Sequence, residues 1–134
     1  FYDYPAGRGK KTLFKGLVDI LGPSKPAEAF DMEHLKHRFL AAQALEAART
    51  VEEGVVTDPR EADVGSILGF GFAPYTGGTL SFIDSMGTTE FAALCDHLAK
   101  KNGPRFKPNK LLKRLAETGT SFYEHMAGGE KKAA

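Results

Sequence analysis

The chain has 134 residues, enough for one domain around one hydrophobic core. Its 42% hydrophobic and 26% charged residues are ordinary for a globular protein, which argues against disorder of the main body. Eighteen basic residues are nearly balanced by seventeen acidic ones. The net charge of +1 therefore gives no electrostatic reason to bind nucleic acid or an anionic membrane.

Two further absences narrow the class. No apolar run approaches the roughly 18 residues that span a bilayer, and no signal peptide opens the chain, so we expect a cytoplasmic protein. The single cysteine, Cys95, cannot form an internal disulfide. It falls among apolar residues at helical spacing, which predicts a buried structural thiol in preference to a nucleophile.

The first 29 residues predict a linker. Glycines and prolines recur too often there for long regular structure, and the apolar run at 17–21 is expected to dock as a helical turn or an extended segment. The opening Phe1-Tyr2 pair returns about 120 residues later as Phe122-Tyr123, which is typical of tandem units of domain size. We therefore expect residues 1–29 to be the end of a preceding unit followed by a linker.

The first long helix is predicted from about Asp31, as its cap, to about Glu53, with Gly54 ending it. Its spacing predicts an apolar face of Leu35, Phe39, Ala42, Leu45 and Ala48.

The second helix has the clearest start. Asp58 is a good N-cap, Pro59 suits the first helical position, and Glu61 stands where it would complete a capping box. The residues expected to face the core are Val64, Ile67 and Leu68.

The segment 69–87 contains five glycines, which interrupt regular structure. A glycine-rich bend is predicted at 69–78, then a short helix at about 80–86 that Gly87 ends. Thr88 or Thr89 is expected to cap the following helix. The predicted inward side chains of that helix are Phe91, Leu94, Cys95 and Leu98.

The last regular helix is predicted from about Pro108 to Gly119, with Leu111, Leu112 and Leu115 inward. Residues 127–134 have almost nothing to bury and predict a frayed tail. No segment shows sustained two-residue alternation. The sequence therefore predicts an all-α domain of about five helices at 30–126.

Motifs that resemble ligand sites lack their structural context. The glycines at 69–71 follow a predicted helix, whereas a dinucleotide loop follows a strand. The segment 7–12 lacks the glycine spacing of a phosphate loop. His34 and His37 stand three residues apart near acids, but no second ligand cluster completes a metal site. We expect no catalytic, cofactor-binding or metal-binding residue in the chain.

Three motifs in order carry a resemblance to a known family. A helix ends at Glu53-Gly54-Val55 with Ala62-Asp63 downstream, a Pro-Tyr-Thr-Gly-Gly loop follows at 74–78, and a short helix ends at Asp84-x-x-Gly87. This order and spacing resembles the second C-terminal helical repeat of the multifunctional enoyl-CoA hydratase and 3-hydroxyacyl-CoA dehydrogenases of fatty acid β-oxidation. The resemblance implies the helical fold of the dehydrogenase C-terminal domain, which is similar to that of 6-phosphogluconate dehydrogenase.

The resemblance also implies what the parent protein does. Members of this family bind NAD and hold a catalytic His-Glu pair in a domain outside this segment. The first helical repeat carries an Asn-Arg pair whose asparagine supports catalysis, and His37-Arg38 stands at that place here. The positions that match the family are expected to be structural: Arg38, Glu46, Arg49, Glu53, Gly54, Asp58, Asp63, Pro74, Gly77, Gly78, Asp84 and Gly87.

The implied partner is the first helical repeat of the parent chain, which this domain would support by packing. The resemblance further implies acyl-CoA substrates and NAD for the parent and leaves room for a thiolase subunit. A segment cut from such a partner is expected to form a weak homodimer. The alternative is a self-standing helical interaction module without dehydrogenase activity.

Overall fold

The computed structural model describes residues 1–130 and divides into two compact units, 1–32 and 33 onward. In the first unit, β1 (Tyr2–Asp3) pairs antiparallel with β2 (Thr12–Leu13). α1 (Leu17–Leu21) and a 3-10 turn (Ala27–Ala29) follow. The segment 17–21 is thus a helical turn. The two-residue strands are too short to show an alternating pattern in the sequence.

Six helices form the described part of the second unit. They are α2 (Met32–Glu52), α3 (Pro59–Phe70), α4 (Thr79–Met86), α5 (Thr88–Asn102), α6 (Lys110–Thr118) and α7 (Phe122–Glu130). The turns Pro74–Thr76 and Pro104–Phe106 are 3-10. The predicted all-α class is confirmed, with the small β1–β2 ladder as an addition.

The core lies among α2, α4, α5, α6 and α7. Its largest fully buried apolar side chains include Leu45, Ile83, Phe91, Leu112 and Phe122. The predicted inward faces of α5 and α6 are confirmed. Leu94 alone among them is only partly buried.

The predicted face of α2 is wrong in part. Phe39 is 69% exposed, and Leu35 and Ala42 are only partly buried. The buried residues of the helix are Leu40, Ala41, Ala44, Leu45 and Ala48. Because residues 39–42 are all apolar, helical spacing alone admits two neighbouring faces, and packing selects the alanine-rich one.

The predicted face of α3 is wrong at Val64 and Leu68, whereas Ile67 is half-buried. Val64 is 55% and Leu68 81% exposed, whereas Asp63 and Ser66 are buried. The reason is chemical, since the Asp63 carboxylate accepts hydrogen bonds from the backbone of α4. Those bonds require α3 to turn its polar side inward.

The two threonines after Gly87 do not cap their own helix. Gly87 is the N-cap residue of α5, and in the described chain no side chain caps that helix start. Thr88 Oγ1 instead donates to the carbonyl oxygen of Thr120 at 3.1 Å, and Thr89 Oγ1 donates to that of Ala116 at 2.9 Å. They therefore satisfy carbonyl groups at the end of α6.

α7 was not among the predicted helices, and it extends to Glu130, four residues into the predicted tail. Residues 131–134 of that tail lie outside the described range. The start of α7 is a capping box. Ser121 Oγ accepts from the Glu124 amide at 3.1 Å, and the Glu124 carboxylate accepts from the Ser121 amide at 2.9 Å. The Ser-x-x-Glu pattern was the available signal.

The start of α3 confirms the predicted cap. Asp58 Oδ1 accepts from the Arg60 amide at 2.9 Å and also from Arg60 Nε, and Pro59 occupies the first turn. Among the described residues, no bond joins Glu61 to the Asp58 amide, so the capping box is not completed. The bonds to the Arg60 side chain and amide lower the pKa of Asp58.

We expect Asp58→Ala to lower the urea midpoint of unfolding, because the first turn of α3 loses its side-chain acceptor. Since the pKa of Asp58 is lowered in the folded state, its contribution is present above the ordinary pKa and is lost as the pH falls through the folded value. Urea melts at pH 7 and pH 3 measure both effects. Asp58→Ser, which retains a capping oxygen, is the control. Equal midpoints for the wild type and Asp58→Ala at pH 7 would show that the cap contributes nothing.

Candidate functional site

The polar centre of the helical unit is the buried carboxylate of Asp63, which is only 3% exposed. Its Oδ1 accepts from the Leu80 amide at 2.7 Å and the Ser81 amide at 3.2 Å. Its Oδ2 accepts from Ser81 Oγ and from the Tyr123 hydroxyl, the latter at 2.8 Å. One side chain of α3 thus caps α4 and binds α7.

The loop before α4 brings the backbone close to this carboxylate. Gly77 and Gly78 have φ angles of +82° and +121°. A Cβ placed on Gly78 would lie 2.5 Å from the Asp63 Cα, so no side chain fits there. Pro74 begins the 3-10 turn that leads into these glycines. Both glycines lie in the segment 69–78, for which the sequence predicts a glycine-rich bend.

A second carboxylate repeats the arrangement one helix further on. Asp84, in the last turn of α4, accepts from the amides of Phe122 at 2.8 Å and Tyr123 at 3.1 Å. Burial raises the pKa of Asp84, against the lowering effect of these two bonds. Burial, together with the bond to Asp63, also raises the pKa of the Tyr123 hydroxyl.

These contacts close a ring of hydrogen bonds through three helices. Asp63 of α3 binds the start of α4, Asp84 of α4 binds the start of α7, and Tyr123 of α7 returns to Asp63. We call Asp63, Ser81, Asp84 and Tyr123 the carboxylate ring. The predicted positions Asp63, Gly78 and Asp84 meet here, whereas Ser81 and Tyr123 were missed.

A second group of predicted residues joins the end of α2 to the start of α6. Arg49 Nη1 pairs with Glu46, and Arg49 Nη2 donates to the carbonyl oxygens of Arg105 at 2.8 Å and Lys107 at 3.3 Å. The Leu111 amide donates to Glu52.

Asn109 completes this junction. Its Nδ2 donates to the Ala48 carbonyl at 3.0 Å, and its Oδ1 accepts from the Leu112 amide at 3.3 Å. The sequence analysis gave Asn109 no role, although asparagine before a leucine-rich helix is a good N-cap signal.

The remaining predicted positions lie apart from both groups. Glu53 is exposed, and Gly54 ends α2 with φ +71°. Gly87 has φ +95° between α4 and α5. Asp58 caps α3, and Arg38 lines a separate cavity beside α2.

The surroundings of Cys95 and of two histidines indicate packing and not chemistry. Cys95 is fully buried, and burial raises the pKa of its thiol to about 12, so it holds its proton at neutral pH. The rings of His34 and His97 meet edge to face with centroids 6.4 Å apart. Over residues 1–130, no three or more His, Cys, Asp or Glu side chains are grouped as metal ligands.

The glycine motif at 69–71 does not fit a dinucleotide. Gly69 lies inside α3, and Gly71 ends that helix with φ +74°. A dinucleotide phosphate loop requires glycines after a strand and before a helix start. Among residues 1–130, none of the helices combines the length and the apolar composition of a membrane-spanning segment.

The outer sides of α2 and α3 are apolar and exposed. Phe39, Val64, Leu68 and Phe70 are 55–81% exposed. A cavity of about 470 Å³ opens between the two helices. Its lining combines small residues such as Ala47 and Gly65 and the ring of Phe70 with the charged Glu46, Glu61 and Arg105. We call this region the α2/α3 face.

Known proteins contain a segment that is similar in sequence to almost the whole of this chain. The sequence is 34% identical over 124 residues to the fatty acid oxidation complex subunit alpha of Shewanella loihica. It is 34% identical over 122 residues to that of Shewanella amazonensis and 32% over 123 residues to that of Shewanella halifaxensis. The chain is a homologue of one segment of these alpha subunits.

The match covers 91–92% of this chain but only 17% of each of these alpha subunits. The resemblance that the sequence motifs indicated is therefore confirmed, since the matching proteins are fatty acid oxidation complex alpha subunits. No protein-family model matches the sequence.

Proposed function

We propose that the chain is the C-terminal packing domain of a fatty acid β-oxidation enzyme and that it performs no chemistry alone. The parent would hydrate 2-enoyl-CoA and oxidise the resulting 3-hydroxyacyl-CoA with NAD, in the bacterial cytoplasm. The first helical repeat of the parent chain would be its partner. Its homology to a small segment of much longer alpha subunits supports this assignment.

The use of its carboxylates also supports a packing role. Asp63 and Asp84 are both engaged by backbone amides at helix starts. A general base needs a lone pair free to meet a substrate proton, and these groups are occupied in holding helices. The ring therefore serves to fix the relative positions of α3, α4 and α7.

The single observation that carries the proposal is the α2/α3 face. Apolar area removed from water contributes about 25 cal/mol per Å², so several exposed large side chains on neighbouring helices favour a partner. Leu68, at 81% exposure, projects from a helix whose polar residues Asp63 and Ser66 are the buried ones. α3 thus has its apolar side available for another domain.

The isolated chain is expected to leave NADH unchanged when mixed with acetoacetyl-CoA, because the proposed nucleotide-binding domain lies outside it. Absorbance at the NADH band measures this, with a full-length alpha subunit as the positive control. NADH loss that scales with the concentration of this chain would overturn the proposal.

The isolated chain is also expected to form a weak homodimer through the α2/α3 face, since a two-fold contact can bury the same face of both copies. Sedimentation equilibrium over micromolar concentrations measures it. Leu68→Asp should abolish the dimer, whereas Ala93→Asp, at an exposed position of α5, should leave it unchanged. A 14.5 kDa monomer at every concentration would contradict the expectation.

The second candidate is a self-standing helical interaction module, which the α2/α3 face would also suit. The gene sequence upstream of Phe1 distinguishes the two. A strand, glycine loop and helix typical of dinucleotide binding supports the enzyme, and an unrelated upstream sequence supports the module. A thiolase subunit is proposed as a further partner only if the chain belongs to the β-oxidation enzyme. Co-purification of a thiolase with the full-length protein tests this.

A further inference from the structure

A cavity of about 320 Å³ lies between the first half of α2 and the turn Pro104–Phe106. It is distinct from the carboxylate ring. The lining residues are Leu35, Arg38, Phe39, Ala42, Arg105 and Phe106. Four of them are apolar, two carry guanidinium groups, and none is acidic. Its volume lies within the range of small-ligand sites.

Arg38 supplies the first unusual feature. Its Nε is buried, and it finds no hydrogen-bond acceptor among the described residues. Buried N–H groups are nearly always paired, and an exception is commonly explained by a bound ion or water. The ion pairs of the described chain involve Lys36, Arg49 and Arg60, so neither arginine of the cavity has a carboxylate partner there.

Arg105 supplies the second. Arg49 holds the backbone around Arg105, because its Nη2 donates hydrogen bonds to the carbonyl oxygens of Arg105 and Lys107. The Arg105 guanidinium carbon lies 5.9 Å from the ring centroid of Phe106, which is itself buried. A second positive charge is therefore placed at the cavity by a turn that cannot easily move.

We propose that this cavity binds an oxyanion, a carboxylate or a phosphate monoester, carried on a short apolar chain. Guanidinium groups match both oxyanions through paired N–H donors, and no ion pair of the described chain engages either arginine. Leu35, Phe39 and Phe106 would cover the apolar part. A cation is excluded by charge, and a neutral apolar ligand would leave both guanidinium charges without a counter-ion. The inference goes beyond the proposed function, although Phe39 belongs both to this cavity and to the α2/α3 face.

The first test titrates the whole 134-residue chain with four probes, followed by NMR of backbone amides and arginine Nε–H groups. The probes are hexanoate, hexyl phosphate, hexan-1-ol and inorganic phosphate. We expect saturable shifts at Arg38 and Arg105 with hexanoate or hexyl phosphate, and at least about tenfold weaker binding of hexan-1-ol and inorganic phosphate. The tighter of the first two identifies the oxyanion.

The second test separates the two arginines from general charge. Arg38→Gln and Arg105→Gln should each lower the affinity for the tighter-binding anionic probe by about tenfold. This is about the contribution of one charge-assisted hydrogen bond. Lys113→Gln changes the net charge equally from an exposed position of α6 and should change binding less than about twofold. The exposed Arg105 keeps the test valid if Arg38→Gln fails to fold.

Three results would overturn the proposal. The first is the absence of saturable shifts in the millimolar range with both anionic probes. The second is equal affinity for hexan-1-ol and hexanoate, which would show that the cavity binds the apolar chain and does not recognise the carboxylate. The third is equal weakening by Arg105→Gln and Lys113→Gln, which would show only non-specific attraction.

Discussion

Gly78→Ala is expected to lower the free energy of unfolding by about 3 kcal/mol or more. Two costs add at this residue. Its φ angle of +121° is rarely adopted by a residue with a side chain, and a Cβ there would meet the Cα and carboxylate of Asp63. Relief requires α3 and α4 to separate, which weakens the bonds from α4 to Asp63. Urea unfolding at 25 °C measures the loss.

Gly54→Ala is the matched control for that substitution. Gly54 also has a positive φ angle, +71°, but a Cβ there would meet nothing within 4 Å. Its cost should be that of the backbone conformation alone, about 1–2 kcal/mol. If both alanine variants lose the same stability, the close approach of Gly78 to Asp63 contributes nothing and the expectation is wrong.

Asp63→Asn should have an effect of similar size, about 3 kcal/mol. The amide keeps the shape of the carboxylate but replaces one acceptor oxygen with a donor. Donors at Leu80, Ser81 and Tyr123 then compete for the oxygen that remains. Leaving a buried donor unpaired costs more than a typical hydrogen bond gains.

Tyr123→Phe removes one bond of the same ring and should cost only about 1 kcal/mol. The double variant tests whether the bonds act together, because a coupled ring gives a loss smaller than the sum of the single losses. Thermal or urea unfolding of all four proteins is sufficient. A loss for Asp63→Asn no greater than that for Tyr123→Phe would show that the α4 amides do not depend on the carboxylate.

Features set by local chemistry were predictable from the sequence. Asp58 before Pro59, and glycine after a run of helix formers, depend on backbone groups within a few residues. The cap of α3 and the end of α2 before Gly54 were found in this way. The buried thiol of Cys95 followed from helical spacing, because α5 has one clear apolar stripe.

Features set by distant partners were not predictable. Tyr123 and Asp63 are 60 residues apart in the chain, and no spacing rule links them. The face of α3 was wrong for the same reason. Its apolar side was assigned to the core because the partners of Asp63 lie in α4 and α7. Helical periodicity separates the apolar side of a helix from its polar side. It does not show that the polar side is the buried one when a carboxylate on that side bonds to other helices.

The carboxylate ring has a consequence for how the domain opens. The eight-residue α4 is too short to persist alone and is held by one carboxylate at its start, while its own Asp84 holds the start of α7. Local fraying of α7 would leave the Asp84 carboxylate without hydrogen bonds from the Phe122 and Tyr123 amides. It would also break the bond from the Tyr123 hydroxyl to Asp63. α3, α4 and α7 are therefore expected to open as one cooperative unit, so the amide protons of Leu80 and Phe122 should exchange over a common barrier although they lie in different helices. A chain that stopped just before Ser121 would be damaged at its centre and not merely at its end.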